Sequence, residues 1–153
     1  GSVAVFADPF GNKWDLIEKD DRTAASYEKA VRERLRIYDY LPIMFVSALS
    51  KQRIYKLLDM AKTVRAEAQK RITTSQLNDK LLPEVMSHPP RSKSGKEIKI
   101  KFITQVKSEP PVFAFFANEP KLVEDSYIRF LENRLREQFG FIGVPLVISL
   151  KKK

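Results

Sequence analysis

The sequence predicts an α/β segment over residues 1–72 followed by an α+β unit of order α-β-β-α-β over residues 73–153. Three features predict this. The apolar run Ile43-Met44-Phe45-Val46 precedes a long helical pattern, the strand-then-helix alternation of a parallel sheet. A polar joint, Thr73-Thr74-Ser75, interrupts that pattern. Beyond the joint, two strand patterns lie between two helical ones, and a last apolar strand closes the chain.

Taken in order, Val3 to Ala7 is a short apolar run expected to form a buried strand, and Asp8-Pro9-Phe10-Gly11 reads as a turn. A helix is expected from about Ala24 to Tyr38, with Tyr27, Val31, Leu35 and Tyr38 on one face. Thr23 suits its N-cap, and the acidic residues ahead of it suit the helix dipole. Pro42 breaks the chain, and Ile43–Val46 reads as a buried parallel strand. Ser50 is the expected cap of a long helix carrying Ile54, Leu57, Leu58, Ala61, Val64 and Ala68 at helical spacing.

The 73–153 unit opens with a helix holding Leu77, Leu81, Leu82 and Val85, capped from the Thr73–Ser75 joint. A proline-rich basic loop follows from His88 to Lys96. The next strand pattern sets Ile98, Ile100, Phe102 and Val106 on one face, with Lys99, Lys101, Gln105 and Lys107 opposite. Ser108-Glu109-Pro110-Pro111 is the expected turn into a strand over Val112–Ala117. A helix over about Val123–Phe139 then places Leu131, Leu135 and Phe139 on its inner face. Gly140 stops it, because glycine takes the left-handed cap conformation cheaply. Phe141 and Ile142 are expected to drop into the core, Gly143 to turn the chain, and Val144–Leu150 to form the last strand, with Lys151–Lys153 as a frayed basic tail.

Composition narrows the chemistry. The 153 residues contain no cysteine, which excludes disulfides and thiolate metal sites and fits a reducing cytosol. A single histidine, His88, argues against a zinc site or a histidine triad and is expected to be a plain loop residue. No apolar run reaches membrane-spanning length. Gly1-Ser2 reads as a cloning remnant with no signal peptide after it, so a cytoplasmic location is expected. Net charge is +9, divided almost evenly as +4 over residues 1–72 and +5 over residues 73–153. That balance points to a polyanionic partner, nucleic acid first, although basic side chains also simply keep a surface solvated.

Asn12-Lys13-Trp14-Asp15 fits the N-K-x-D signature that recognises guanine. A carboxylate such as Asp15 accepts two hydrogen bonds from the guanine N1–H and N2 amino group, a pair adenine does not offer. Lys13 is expected to lie over the base and Asn12 to tie neighbouring loops together. Ser47-Ala48, at the end of the next strand, fits the companion loop whose backbone N–H groups reach guanine O6. No G-x-x-x-x-G-K-[ST] occurs, and no D-x-x-G segment precedes Asn12. Nothing is therefore expected to cradle phosphates or hold Mg²⁺. The 1–72 segment is read as the C-terminal part of a P-loop GTPase domain, without its P-loop and switch regions.

The stretches NKWDL (12–16), RTAASYEKAVRERL (22–35), FVSAL (45–49), TSQLND (74–79), KIKFITQV (99–106), PPVFAFFANEP (110–120) and SYIRFLENRLREQFGFIGVPLVI (126–148) resemble the C-terminal part of the bacterial double GTPases of the Der (EngA) family. The resemblance covers nearly the whole chain from Asn12 on. It implies two tandem GTPase domains and a C-terminal KH-like domain in the parent, acting in assembly of the large ribosomal subunit. The KH-like part is implied to be a three-stranded sheet with helices on one face. The parent is implied to use GTP/GDP and Mg²⁺ and to partner the large subunit and its ribosomal RNA. This chain is expected to bind no nucleotide and to be catalytically inactive alone. One departure stands out: in the family a hydrophobic strand runs directly into N-K-x-D, whereas Asp8-Pro9-Phe10-Gly11 intervenes here.

Gly140-Phe141-Ile142-Gly143 has the letters of the GxxG loop with which KH domains clamp a nucleic-acid backbone. Its position between a helix and a strand, and its apolar centre, favour a cap-and-core role instead. RNA contact is then expected from Arg91, Lys93 and Lys96 in the basic loop, Lys99, Lys101 and Lys107 on the outer strand face, Arg129 and Arg136 on the last helix, and the tail. Such contacts add salt dependence but no sequence choice. The alternative is a KH-like unit that docks on the GTPase domains. The Phe113, Phe115 and Phe116 cluster is expected to be core rather than a base-stacking surface.

Overall fold

The computed structural model describes residues 3–7, 13–17, 21–35, 38–91 and 95–152. The chain divides into two compact units, Gly1–Asp39 with Ile43–Phe45 and Tyr40–Pro42 with Val46–Lys153.

In the first unit, strands β1 (Val3–Ala7) and β2 (Lys13–Ile17) pair antiparallel, with Val3 opposite Ile17 and Ala7 opposite Lys13. The expected parallel sheet is not formed among the described residues. A short connection between consecutive strands permits only an antiparallel return, since parallel pairing needs a long crossover. Helix α1 (Asp21–Arg34) starts earlier than expected, so Thr23 lies in its first turn rather than at its cap. Glu28 and Arg32 pair one turn apart at 2.9 Å. Ile43–Val46 is half-buried and carries no ladder, contrary to the expected strand. A hydrophobic run becomes a strand only beside a partner backbone, and no described strand pairs with this one.

Ser47 makes a single antiparallel bridge to Gln52. Lys51 and Arg53 then take left-handed conformations, with φ of 54° and 62°. Helix α2 (Ile54–Gln69) therefore begins four residues after Ser50, whose N–H is instead bonded to Ser47 Oγ at 3.2 Å. Helix α3 (Thr74–Lys80) is capped as the sequence predicts. Thr73 accepts from the Gln76 N–H, and the Gln76 side chain accepts in return from the Thr73 N–H. A break at Leu81 separates it from α4 (Leu82–Ser87), with Pro83 in the first turn of α4, where its missing N–H costs nothing.

Strands β3 (Ile100–Ser108), β4 (Pro111–Ala117) and β5 (Val147–Lys152) form a mixed sheet in the order β3-β4-β5. The β3–β4 pair is antiparallel and the β4–β5 pair parallel. A 3₁₀ turn (Pro120–Leu122) leads into helix α5 (Asp125–Phe139), whose return makes the parallel pairing possible. One core binds the unit. Leu77, Leu81 and Val85 from α3 and α4 meet Leu131 and Leu135 from α5 over Ile103, Phe113 and Phe115 of the sheet, all essentially inaccessible. The helices thus cover one sheet face.

Two bulges in β3 change which residues reach that core. The register shifts between Ile100 and Phe102 and again between Gln105 and Lys107. A bulge inserts one unpaired residue and reverses the facing of everything after it. Phe102 and Val106, expected inside, instead lie with Lys101 and Lys107 on the outer face; Ile103 and Gln105 take the inner positions. Gln105, expected outside, is 4% exposed and fully used. Its amide donates to Lys70 O at 3.0 Å and accepts from the Ile72 N–H at 2.6 Å, fastening the α2–α3 joint to the sheet.

The free edge of β3 is closed by Asn78. Its side chain accepts from the Ile103 N–H at 3.1 Å and donates to Ile103 O at 2.8 Å, occupying backbone groups that another strand could otherwise take. On the paired side, Asn118 extends the β3–β4 ladder past its last pair: its N–H donates to Lys99 O at 3.2 Å, and its side chain bonds Glu97 O and the Lys99 N–H. Lys151 and Lys152, expected as a frayed tail, are strand residues opposite Phe116 and Ala117. Val144 is buried but precedes the strand, which starts at Val147.

Candidate nucleic-acid interface

The segment Gly140–Gly143 is clasped from three sides within the second unit. Gly140 ends α5 at φ 88°, its N–H bonded to Arg136 O at 2.8 Å. Phe141 follows at φ 68°, an uncommon conformation for a bulky residue, with its ring wholly buried edge-on against Phe113. Its N–H donates to Glu67 Oε2 at 2.5 Å and its carbonyl accepts from Arg136 Nη1 at 2.7 Å. Gly143 closes the turn at φ 73°, its N–H bonded to Tyr40 O at 2.9 Å. Lys70 Nζ bridges Glu67 and Phe139 O, at 2.6 and 2.9 Å.

This clasp sets the charge state of Glu67. Burial pushes its carboxyl upward, but hydrogen bonds from Lys70 and from the Phe141 and Ile142 N–H groups outweigh it and hold Glu67 below the ordinary carboxylate range. A GxxG clamp needs free backbone N–H groups for a phosphate. Here the Phe141 and Ile142 N–H groups are taken by the Glu67 carboxylate and those of Gly140 and Gly143 by Arg136 O and Tyr40 O, so none is left to hold a phosphate. Ile142 departs from expectation: it is 57% exposed, because the turn that buries Phe141 carries its neighbour outward.

The basic candidates do not form one patch. Arg91 and Lys96 are exposed in the loop between α4 and β3; Lys93 lies outside the described residues. Lys99 is exposed and paired with Glu97 at 3.1 Å. Lys101 and Lys107 are exposed on the outer sheet face. Arg129 is exposed on α5, on the opposite layer. Arg136 is the clear departure. Its side chain is only 13% exposed, bonds Glu132 at 2.8 Å and Phe141 O, and stacks 3.7 Å from the Tyr40 ring centre. Its charge holds the Gly140–Gly143 turn rather than facing solvent. A 3.6-residue period cannot reveal this, since the partners Tyr40 and Phe141 come from other parts of the unit.

Phe113 and Phe115 are fully buried as expected, whereas Phe116 lies on the outer face, half-buried, with its ring 5.7 Å from Phe102. His88 caps the end of α4, its carbonyl accepting from Tyr127 Oη at 2.7 Å. Burial of Tyr127 pushes its phenol up to about 12.

Of the guanine-motif residues, Lys13 and Asp15 lie within β2, and Asn12 is outside the described residues. Ser47 and Ala48 belong to the second unit, Ser47 in its bridge and Ala48 exposed in the turn after it. Among the described residues no group of three or more histidine or acidic side chains is arranged to hold a metal ion, and no helix is long and apolar enough to cross a membrane.

A three-stranded mixed sheet in α-β-β-α-β order, with helices on one face and the glycine turn consumed internally, defines a KH-like unit without a backbone clamp. The profile described as KH-domain-like of EngA bacterial GTPase enzymes, C-terminal, matches residues 71–151, and the chain belongs to that family. It is 54% identical over 142 residues to the GTPase Der of Chloroherpeton thalassium, covering 93% of this chain and 33% of that protein. It is 49% identical to the GTPase Der of Caldanaerobacter subterraneus subsp. tengcongensis and 48% identical to that of Chloroflexus aggregans, in each case over 93% of this chain and 32% of the relative. The chain spans about a third of the length of the curated relatives it matches.

Proposed function

We propose that this chain is the C-terminal part of a Der-type GTPase that acts in the cytoplasm in assembly of the large ribosomal subunit, and that its KH-like unit contacts ribosomal RNA. The observation that carries this reading is the charge on the outer sheet face. Lys101 and Lys107 are exposed there, Lys151 is exposed on β5, and no acidic residue occupies an outward register position of the three strands. Lys99, Arg91 and Lys96 are exposed in the segment leading into β3, whereas Arg129, on the helical layer, is a separate candidate contact. The contact is electrostatic, so binding falls steeply with salt. The test is titration of the 153-residue chain with ribosomal RNA fragments at rising salt. A double reversal, Lys99→Glu with Lys101→Glu, is expected to weaken binding and flatten the salt slope. Equal binding by that variant sinks the RNA contact and leaves the unit as a docking module for the GTPase domains, a reading favoured by the internal use of the Gly140–Gly143 amides.

In the parent, Asn12, Lys13, Asp15, Ser47 and Ala48 are assigned to guanine recognition, with GTP or GDP and Mg²⁺ held by segments this chain lacks. A guanine pocket without a phosphate site loses most of its affinity. The chain alone is expected to show no fluorescent-GTP binding at micromolar concentration; clear magnesium-dependent binding refutes the reading that its nucleotide site is incomplete.

A further inference from the structure

The outer face of the β3-β4-β5 sheet has a composition that electrostatics alone does not require. The register places Lys151, Phe116 and Phe102 in one row across the three strands, Ser149, Ala114 and Thr104 in the next, and Val147, Val112 and Lys107 in a third. The first β3 bulge adds Lys101 beside Phe102. The core lies wholly on the other side, where α3, α4 and α5 pack. The Phe102 and Phe116 rings sit 5.7 Å apart and tilted by 55°, on a face where a sheet needing only solvation would carry polar side chains. Lysines flank this aromatic pair at both ends of its row, and no carboxylate interrupts them.

Aromatic rings set among cations in neighbouring register positions match an unpaired nucleotide strand, whose bases stack while its phosphates meet lysines. A duplex hides its base faces and gains nothing from the two rings. An acidic protein surface would satisfy the lysines but leave the rings without partners of matching shape. Resting on the proposed RNA contact, we infer that the outer sheet face is a binding platform for single-stranded RNA, with Phe102 and Phe116 stacking on bases and Lys101, Lys107 and Lys151 meeting the backbone. The two β3 bulges create the platform, since unbroken alternation would turn Phe102 into the core.

The test uses the 153-residue chain and an unstructured RNA of about 12 nucleotides, alone and annealed to its complement. The single strand is expected to bind about tenfold more tightly than the duplex at equal salt. Phe102→Leu keeps apolar volume and removes the aromatic face; it is expected to weaken single-strand binding roughly 5- to 100-fold and leave duplex binding unchanged. Phe102→Trp is expected to retain binding and to show fluorescence quenching by the single strand beyond the Trp14 background of the parent chain. Tighter duplex binding, or wild-type affinity in Phe102→Leu with no quenching in Phe102→Trp, overturns the platform while leaving the electrostatic RNA contact standing. Absence of binding to either RNA overturns both.

Discussion

Glu67 is the acceptor on which the Gly140–Gly143 turn depends, and its removal gives a measurable loss. In Glu67→Ala, the Phe141 N–H loses its partner at 2.5 Å inside a residue with no exposed surface. A buried donor left unsatisfied costs about 1–3 kcal/mol. Lys70 loses both carboxylate oxygens, at 2.6 and 2.8 Å, but keeps Phe139 O and has a side chain 32% exposed, so water offsets most of that part. The helical preference of alanine returns a few tenths. The net expectation is a loss of about 2 kcal/mol, or roughly 4–8 °C in the melting of a domain of this size. Glu67→Gln keeps an oxygen for the Phe141 N–H and loses only the ion pair, so about 1 kcal/mol is expected.

Urea unfolding at pH 7 followed by far-ultraviolet circular dichroism measures both variants. Because the folded-state pKa of Glu67 is lowered, its contribution is fully present above the ordinary carboxylate value of 4.5 and is lost as pH falls through the lower folded value. The wild type should therefore lose stability over that acidic window more steeply than Glu67→Gln. An alanine variant within about 0.5 kcal/mol of wild type, below the cost of one unsatisfied buried donor, refutes the reading that this carboxylate holds the turn.

Gly143→Ala places a Cβ 2.7 Å from Val64 Cγ2 at φ +73°, so both clash and left-handed strain apply; a loss of about 2–4 kcal/mol by the same unfolding assay is expected. Gln105→Leu fits the buried volume but orphans the Ile72 N–H and Lys70 O, and is expected to cost about 2 kcal/mol. Tyr127→Phe removes the bond to His88 O, for about 1 kcal/mol, and ultraviolet titration of the wild type should show one tyrosine ionising near pH 12 that the variant lacks.

The second unit was largely legible in the sequence because its signals are local. Thr73 to Gln76 spells a capping box, Leu77, Leu81, Leu131 and Leu135 keep helical spacing onto one core, and Gly140 marks the end of α5. The same locality explains the misreadings. Alternation along β3 carries no mark of a bulge, which arises from pairing with β4, so alternation alone puts Phe102 and Gln105 on the wrong faces. Arg136 looks like any exposed helical arginine until Tyr40 and the Phe141 carbonyl arrive from elsewhere. Ile43–Val46 has strand composition, yet a strand exists only when another backbone completes its hydrogen bonds.

The sequence by itself determined the order of elements in the KH-like unit, its core helices, its family and its positive charge, since periodicity, caps and composition are written residue by residue. Only the tertiary structure decided where that charge and those aromatics lie. It consumed the tempting glycine turn in an internal clasp, drew Arg136 inward, and used two bulges to bring Phe102 beside Phe116 on the open sheet face. The physical reason is that facing depends on strand register and on partners distant in the chain, and neither is encoded in any single stretch.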